Sequence, residues 1–375
     1  MSFESTIGVS AKSHSAKWDE PATASVKTWN IAVLAGDGIG PEVMAEGLKV
    51  LRSVEQKLTG TRFALQDVPV GVGEFLRSGN PMPDSACAAC RAADAVLLAA
   101  MGLPDVRWPD GKEFTPQIDL REQLDLYSGI RPIKLYHGHD TPLKGLQGGD
   151  IDFVIVREST EGLFSDRSSR TNGSDSEYFD TLRISRRGSE RVFRTAFELA
   201  LTRRRKVTLV DKANVLPSMV FFRRVFDEIA REYPAVQTER IYVDAASLFL
   251  LRRPGSFDTI VTENMFGDIL SELAAGLVGG MGMAPSADIG EAHAVFQPTH
   301  GTAPDLAGKG VANPVAMILS VAMMLEWLKD PELLRGAALI RRAVEQVLAQ
   351  PQNRTPDLHG QLSTSAMGDL VVSQL

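Results

Sequence analysis

Three arginines, Arg121, Arg131 and Arg157, stand beside apolar runs in a chain with ordinary charge content. A guanidinium grips a carboxylate through two parallel N–H bonds, so three of them suit a small substrate with two or three carboxylates. Separate surface salt bridges are the plainer alternative for any one of them. Arg157 is the most pointed case. In "VIVRESTEGLF", residues 154–164, an apolar strand-like run ends in Arg157 and Glu158 and then reaches Phe164. Lys212 after "VTLVD", Asp244 after "IYV" and Asp268 after "TIVTENMFG" likewise put charge at the ends of predicted strands. Asp268 and Glu272 are four residues apart on a predicted helix and share a face, which is unfavourable for like charges unless a cation lies between them. With Asp244 they supply three hard-oxygen donors fit for Mg²⁺ or Mn²⁺. The alternative is a solvated helix face.

The elements that must position these groups follow from patterning. "NIAVLAGDGIGPEVMAEGLKVLRSV" reads as strand, glycine turn and helix, with Pro41 in the first helical turn. Its G-x-G-x-G-P spacing is not the G-x-G-x-x-G of dinucleotide folds and is a weak signal alone. Further strands are predicted over 93–102, 150–158, 206–212, 240–245 and 257–264, with helical runs such as "MVFFRRVFDEIAREY" between most of them. That alternation predicts an α/β fold with a largely parallel core, and ligands in such sheets bind beyond the carboxyl ends of strands. Two segments break the pattern. The polar stretch 165–191, with a turn signal at Asn172-Gly173, reads as a disordered loop or as a projecting hairpin arm that implies a partner subunit. "APSADIGEAHAVFQPTHGTAPDLAGKGVANP" lacks periodicity over a long span, which marks functional segments.

Composition narrows the class. With 375 residues, 44% hydrophobic, 23% charged and a net charge of −7, the chain is globular, with one large domain or two, and offers no nucleic-acid surface. The basic clusters "RRRK" and "RISRRGSER" read as solvated or interface faces. No apolar stretch is long enough to span a membrane. The Ser/Ala/Thr-rich start has no apolar core, so a disordered tail is expected over 1–27, not a secretory signal. Cys87 and Cys90, in "CAAC", lack the second pair or nearby His that a zinc site needs and are expected to pack inside a short helix. Two free thiols fit a reducing, cytoplasmic compartment.

Seven stretches together, "GDGIGPEV", "LREQLDLYSGIRP", "RESTEGLF", "DKANVL", "ENMFGDILSE", "GGMGMAPSADIG" and "HGTAPDLAGKGVANP", resemble the β-decarboxylating dehydrogenases, which act on 3-isopropylmalate, isocitrate, homoisocitrate, and tartrate or D-malate. The resemblance runs from about residue 30 to the mid-320s. It implies a two-domain isocitrate/isopropylmalate dehydrogenase-like α/β fold, with a large cofactor-binding domain from 28–126 and 279–375. Residues 127–278 would form a smaller substrate and dimerisation domain. It implies a homodimer with shared active sites, in which segment 165–191 is an interlocking arm and Lys212 and Asp244 serve the other subunit's site. Arg121, Arg131 and Arg157 would bind the malate-like carboxylates, Asp244, Asp268 and Glu272 the Mg²⁺ or Mn²⁺, and Lys212 would assist removal of the hydroxyl proton. His300, Gly301, Thr302, Ala303, Asp305, Leu306 and Asn313 match the family's NAD site, and a carboxylate at 305 repels the extra phosphate of NADP.

Three positions depart from the family. Phe164 replaces the tyrosine that supplies a proton after decarboxylation, Glu272 replaces an aspartate, and Gln297 replaces the glutamate before Pro298. At the substrate-selecting positions stand Thr115 and Gln117, where isopropylmalate enzymes carry a leucine four residues before the arginine. A polar substrate such as isocitrate, tartrate or D-malate is therefore expected. The alternatives are a 3-isopropylmalate dehydrogenase and, on the loss of the tyrosine, an impaired regulatory subunit of a heteromeric enzyme.

Overall fold

The computed structural model describes residues 26–109, 111–165 and 176–375. Most of the expected tail and the first part of the expected arm, 166–175, lie outside them. Ten strands form one sheet among the described residues. They are β1 (Lys27–Gly36), β2 (Thr61–Asp67), β3 (Ala95–Ala100), β4 (Ser128–Lys134), β5 (Asp152–Glu158), β6 (Lys206–Asp211), β7 (Gln237–Tyr242), β8 (Thr259–Thr262), β9 (Pro285–Ile289) and β10 (Ala294–Pro298). Their order is β2-β1-β3-β10-β9-β4-β5-β8-β6-β7. The outer strands pair in parallel, and antiparallel pairs β10–β9, β9–β4 and β4–β5 join the two parallel halves. This is the mixed, largely parallel α/β core that the sequence predicts.

The helices are α1 (Gly40–Glu55), α2 (Val72–Ser78), α3 (Asp84–Ala92), α4 (Pro116–Gln123), α5 (Arg186–Leu201), α6 (Pro217–Ala230), α7 (Val243–Arg252), α8 (Asn264–Gly276), α9 (Val315–Trp327), α10 (Pro331–Leu348) and α11 (Thr364–Ser373). Helix α9 is buried almost all round, which is why its sequence is apolar without a polar stripe.

The register explains where a cleft must form. One face of the sheet carries an unbroken apolar row across neighbouring strands: Leu97, Phe296, Ala287, Ile130, Val156, Val261 and Leu209 all join the main core. The opposite face carries two smaller cores. One, with Leu34, Val96, Leu98 and Val295, covers the β1–β3–β10 end. The other, with Ile133, Ile155, Val210 and Ile260, covers the β4–β5–β8–β6 end. Between them this face carries Gln297 on β10, Asp288 on β9, Arg131 on β4 and Arg157 on β5. Directly opposed residues share a face, and so do residues two apart. Pairings Val295↔Asp288, Asp288↔Gly129 and Gly129↔Arg157 place all four there.

Several expectations change. The stretch read as irregular contains β9 and β10, a hairpin at the centre of the sheet, closed by Gly290 N–H donating to His293 O at 2.9 Å. Its strands are only five residues each, too short for alternation to show. Asp244 does not end a strand: β7 stops at Tyr242, and Asp244 lies in the first turn of α7. The segment expected as an arm gives way to α5 at Arg186, where Ser185 Oγ accepts from Gly188 N at 3.0 Å. Before that helix, Tyr178 and Phe179 are 74% and 63% exposed. Cys87 and Cys90 are buried free thiols on α3, and burial pushes Cys90 up to about 12, so the thiolate that redox chemistry needs is disfavoured. Among the described residues no helix is long and apolar enough to cross a membrane.

Candidate active site

The gap between the two smaller cores is a cleft of about 260 Å³ lined by Arg121, Arg131, Arg157, Gln117, Phe164, Asp268, Glu272, Gln297 and His300, with an apolar wall from Leu98 to Met101 and Ile118. The three arginines therefore face one space. Arg157 is 2% exposed because β5 is central in the sheet and its tip points into this gap. Its guanidinium donates from Nε and Nη2 to Asn264 Oδ1, at 2.9 and 2.6 Å, and from Nη1 to Asp268 Oδ1. Burial pulls Arg157 down to about 10, which leaves it charged at neutral pH, and lowers Arg131 as well.

Asn264 is held in turn. Its Nδ2 donates to Glu161 O at 2.8 Å, and Glu263 caps the start of α8 by accepting from Phe266 N at 2.6 Å and Met265 N at 3.1 Å. Gly267 is required for this approach: a Cβ there would lie 2.7 Å from Arg157 Cβ and Cγ. Glu158, beside Arg157, folds the turn that follows. Its carboxyl group accepts from Thr160 N, Thr160 Oγ1 and Glu161 N at 2.9, 2.8 and 2.7 Å, and burial pushes it up to about 7. That turn delivers Phe164, whose ring centre lies 5.6 Å from Arg157 Cζ.

Arg121, on α4, donates from Nε to Asp288 Oδ2 at 2.8 Å. Asp268 and Glu272 share the cleft face of α8, as their spacing predicts, with Ser271 between them. Two carboxylates are what one chain offers there; among the described residues no group of three His, Cys, Asp or Glu side chains gathers in one chain. Asp244 is elsewhere, accepting from Lys212 Nζ at 2.6 Å, and that bond holds its carboxyl below the usual range. Neither Lys212 nor Asp244 lines this cleft. Gln117 reaches it with a buried Oε1 that has no partner, whereas Thr115 is not on its wall.

The loop from His300 to Asn313 closes the cleft's other end. Ile39 N donates to Thr302 O at 2.8 Å, and a Cβ at Gly38, whose φ is +60°, would lie 2.1 Å from that oxygen. The "GDGIG" turn is thus a buttress for this loop. Its Asp37 carboxylate accepts from Val72 N, Gly73 N and Gly102 N at 2.8, 2.8 and 2.9 Å and ties three segments together. Ala303 takes a φ of +37°, and Gly301, Asp305 and Leu306 are exposed along the loop. His300 and Gly301 touch the cleft. His300 Nε2 is buried without a partner, and burial lowers its pKa, which favours the neutral ring. Asn313 is fixed by Nδ2 donating to Asp357 Oδ2 at 3.1 Å and by Oδ1 accepting from Val315 N at 3.1 Å.

Sequence reasoning missed two residues of the site. Asn264 follows Glu263 in "TEN" and reads as an ordinary helix start, and Asp288 sits in a strand too short to recognise. For Asn264 the signal was available: an uncharged amide two residues past a strand ending opposite Arg157.

Comparison with known proteins identifies the family. The isocitrate/isopropylmalate dehydrogenase family profile matches residues 30–371. A 3-isopropylmalate dehydrogenase of Thermotoga maritima is 46% identical over 358 residues, covering 92% of this chain and 98% of that protein. One from Bacillus cereus is 44% identical over 351 residues, covering 92% and 96%. Among solved structures, isocitrate dehydrogenase from Methylococcus capsulatus superposes with a TM-score of 0.82 at 36% identity, over 92% of this chain and 99% of that one. A β-decarboxylating dehydrogenase from Thermococcus kodakarensis gives 0.76 at 36% identity, over 92% and 96%. The chain belongs to the isocitrate/isopropylmalate dehydrogenase family and is a decarboxylating 2-hydroxy acid oxidoreductase.

Proposed function

We propose that the chain oxidises and decarboxylates 3-isopropylmalate with NAD. The observation that carries this reading is the pairing of three arginines with an apolar wall, Leu98 to Met101 with Ile118, in one cleft. The arginines suit two carboxylates, and the wall suits a branched alkyl group. Relatives at 41–46% identity are named 3-isopropylmalate dehydrogenases and support the same substrate. The expectation of a polar substrate rested on Thr115 and Gln117, and Thr115 is off the cleft wall. Gln117 keeps the polar hydroxy acids, isocitrate above all, as the second reading, because its buried Oε1 lacks a partner.

Arg121, Arg131 and Arg157 fix the substrate's carboxylates and so its orientation, while Phe164 adds an aromatic wall beside Arg157. Asp268 and Glu272 suit a hard divalent cation, which supplies polarisation of the hydroxyl and its neighbouring carboxylate when bound. Their two carboxylates are one short of a three-residue set. A homodimer in which Lys212 and Asp244 of one copy complete the cleft of the other answers that shortage. The exposed Val215, Val220, Leu248, Leu251 and Ile269, on and around α6 to α8, provide an apolar face for such contact. A bound nicotinamide would supply the hydride acceptor. His300 with its orphaned Nε2, Asn313, Gly301, Thr302, Ala303 and Leu306 fit the dinucleotide, and Asp305 fits a ribose diol better than a phosphate. A division into 28–126 with 279–375, and 127–278, would draw the cleft's lining from both domains. The test is NAD reduction by the purified chain with Mg²⁺ or Mn²⁺ and 3-isopropylmalate, isocitrate, tartrate or D-malate. Highest kcat/KM on 3-isopropylmalate supports the reading; highest on isocitrate replaces it with the second; none with any argues for a regulatory subunit.

A further inference from the structure

We infer that Asp288 is a positioning residue for substrate binding, holding Arg121 in place, and that with Gln297 it forms a hydrogen-bonded pair in which the cleft's buried carboxylate sits on β9 instead of at position 297. The inference rests on the family reading above for the identity of the substrate and for the glutamate expected at position 297. Asp288 is 1% exposed, and its Oδ2 accepts from two donors at once, Arg121 Nε at 2.8 Å and Gln297 Nε2 at 2.6 Å. The strand register makes this meeting unavoidable. Asp288 opposes Val295 on β10, so Gln297, two residues on, is its diagonal neighbour on the same face. On the other side it opposes Gly129, where a Cβ would lie 3.3 Å from Asp288 Oδ1. Glycine there leaves room for the carboxylate beside Arg157.

The pairing accounts for the chemical type at both positions. A glutamate at 297 would set a second carboxylate against Asp288 at hydrogen-bond distance, and two like charges in a buried site cannot both ionise. Glutamine supplies the N–H that Asp288 needs. Arg121 uses Nε for this bond, which leaves its Nη1/Nη2 edge for a substrate carboxylate. Asp288 also counters the crowd of cations: Arg131 Nε is buried without a partner, and the carboxylate acts on Arg131 through space. Without it, three guanidiniums would share the cleft with Asp268 and Glu272 on α8 as the facing anions among the described residues.

Two signs of effect are opposed, which makes the test sharp. Electrostatics alone says that removing a buried anion tightens binding of an anionic substrate. Positioning says that binding weakens, because Arg121 loses its anchor. The experiment compares wild type with Asp288→Asn, Gln297→Glu and the double variant Asp288→Asn/Gln297→Glu. It reads KM and kcat for 3-isopropylmalate, and calorimetric binding of D-malate as a probe that carries the two carboxylates and hydroxyl without the alkyl group. Expected is a rise of about tenfold or more in KM and in the D-malate dissociation constant for each single variant, with kcat within about threefold, the pattern of lost uniform binding. The double variant, with its carboxylate returned to 297, should recover to within about threefold of wild type on both readouts. Unchanged or tighter D-malate binding by Asp288→Asn overturns the inference, as does a double variant no better than the worse single one. Failure of the substrate reading looks different: wild type then binds D-malate but does not turn over 3-isopropylmalate. A wild type that binds neither overturns both. If Asp288→Asn does not fold, Gln297→Leu, which removes one donor and adds no charge, must weaken D-malate binding; unaltered binding by that variant refutes the pair.

Discussion

Substituting Phe164 by tyrosine asks what the missing hydroxyl costs. Phe164 is half-buried at the cleft with its ring centre 5.6 Å from Arg157 Cζ, and a phenol keeps both shape and cation–π face. The substrate's grip on the arginines should therefore survive, with KM within about threefold of wild type. What changes is the supply of a proton to the enol carbon after loss of CO₂. No phenol or ammonium lines the cleft within one chain, among the described residues. Tyr178, a possible substitute donor by its place in the sequence, is 74% exposed and off the cleft wall. A positioned general acid contributes about 10² to 10⁴-fold, equivalent to roughly 3–5 kcal/mol of barrier. Phe164→Tyr should raise steady-state product formation towards that range and reduce the solvent deuterium isotope effect, while Tyr178→Phe changes neither. The assay follows NADH and the decarboxylated product together in H₂O and D₂O. Equal rates and equal isotope effects for wild type and Phe164→Tyr would refute the reasoning, for protonation at this position would then not limit turnover.

Cofactor choice follows from Asp305: kcat/KM should favour NAD over NADP by at least about tenfold, since one unfavourable charge contact exceeds about 1.4 kcal/mol in a binding site, and equal values would remove Asp305 from the ribose site. Sharing of sites between copies is read by complementation. Lys212→Ala and Asp268→Ala should each be inactive as homodimers, and mixing should restore activity through one intact site; mixtures as dead as their parents refute the shared cleft. Glu158 makes stability depend on pH. Burial raises its carboxyl to about 7 from an ordinary 4.5, so the folded chain holds a proton that the unfolded chain has lost. This contribution is complete below about pH 4.5 and is lost as pH rises through 7, up to roughly 3 kcal/mol. Glu158→Gln should flatten the fall in Tm between pH 5 and 8, and parallel curves for variant and wild type would count against the assignment.

How far the site could be read from sequence depended on where each residue sat. Arg157 and the pair Asp268 and Glu272 were legible as residues of the cleft because strong apolar or helical patterns lead up to them, and a charge at the end of such a pattern has few structural uses; Lys212 ends a like pattern but lies off the cleft of its own chain. Their convergence was not legible, since it depends on the sheet register that sets Gln297, Asp288, Arg131 and Arg157 on one face. The β9–β10 hairpin escaped because five-residue strands carry too little alternation to stand out from a glycine-rich loop. The same shortness hid Asp288. "GDGIG" was legible as a tight turn but not as a buttress, because its partner, the Thr302 carbonyl, lies more than 260 residues away in the chain. The substrate expectation turned on two residues before Arg121, one of which the turn of α4 carries off the cleft wall.

The central claim is that this cleft couples oxidation to loss of CO₂ on 3-isopropylmalate. One measurement tests it most directly: the ratio of CO₂ released to NADH formed in a single preparation of the wild-type chain, with 3-isopropylmalate, NAD and Mn²⁺. The account predicts one CO₂ for each NADH, with the rate slowed by Phe164 and the ratio unaffected. NADH formed with no matching CO₂, or CO₂ and NADH both absent while isocitrate gives them in equal amounts, would contradict it.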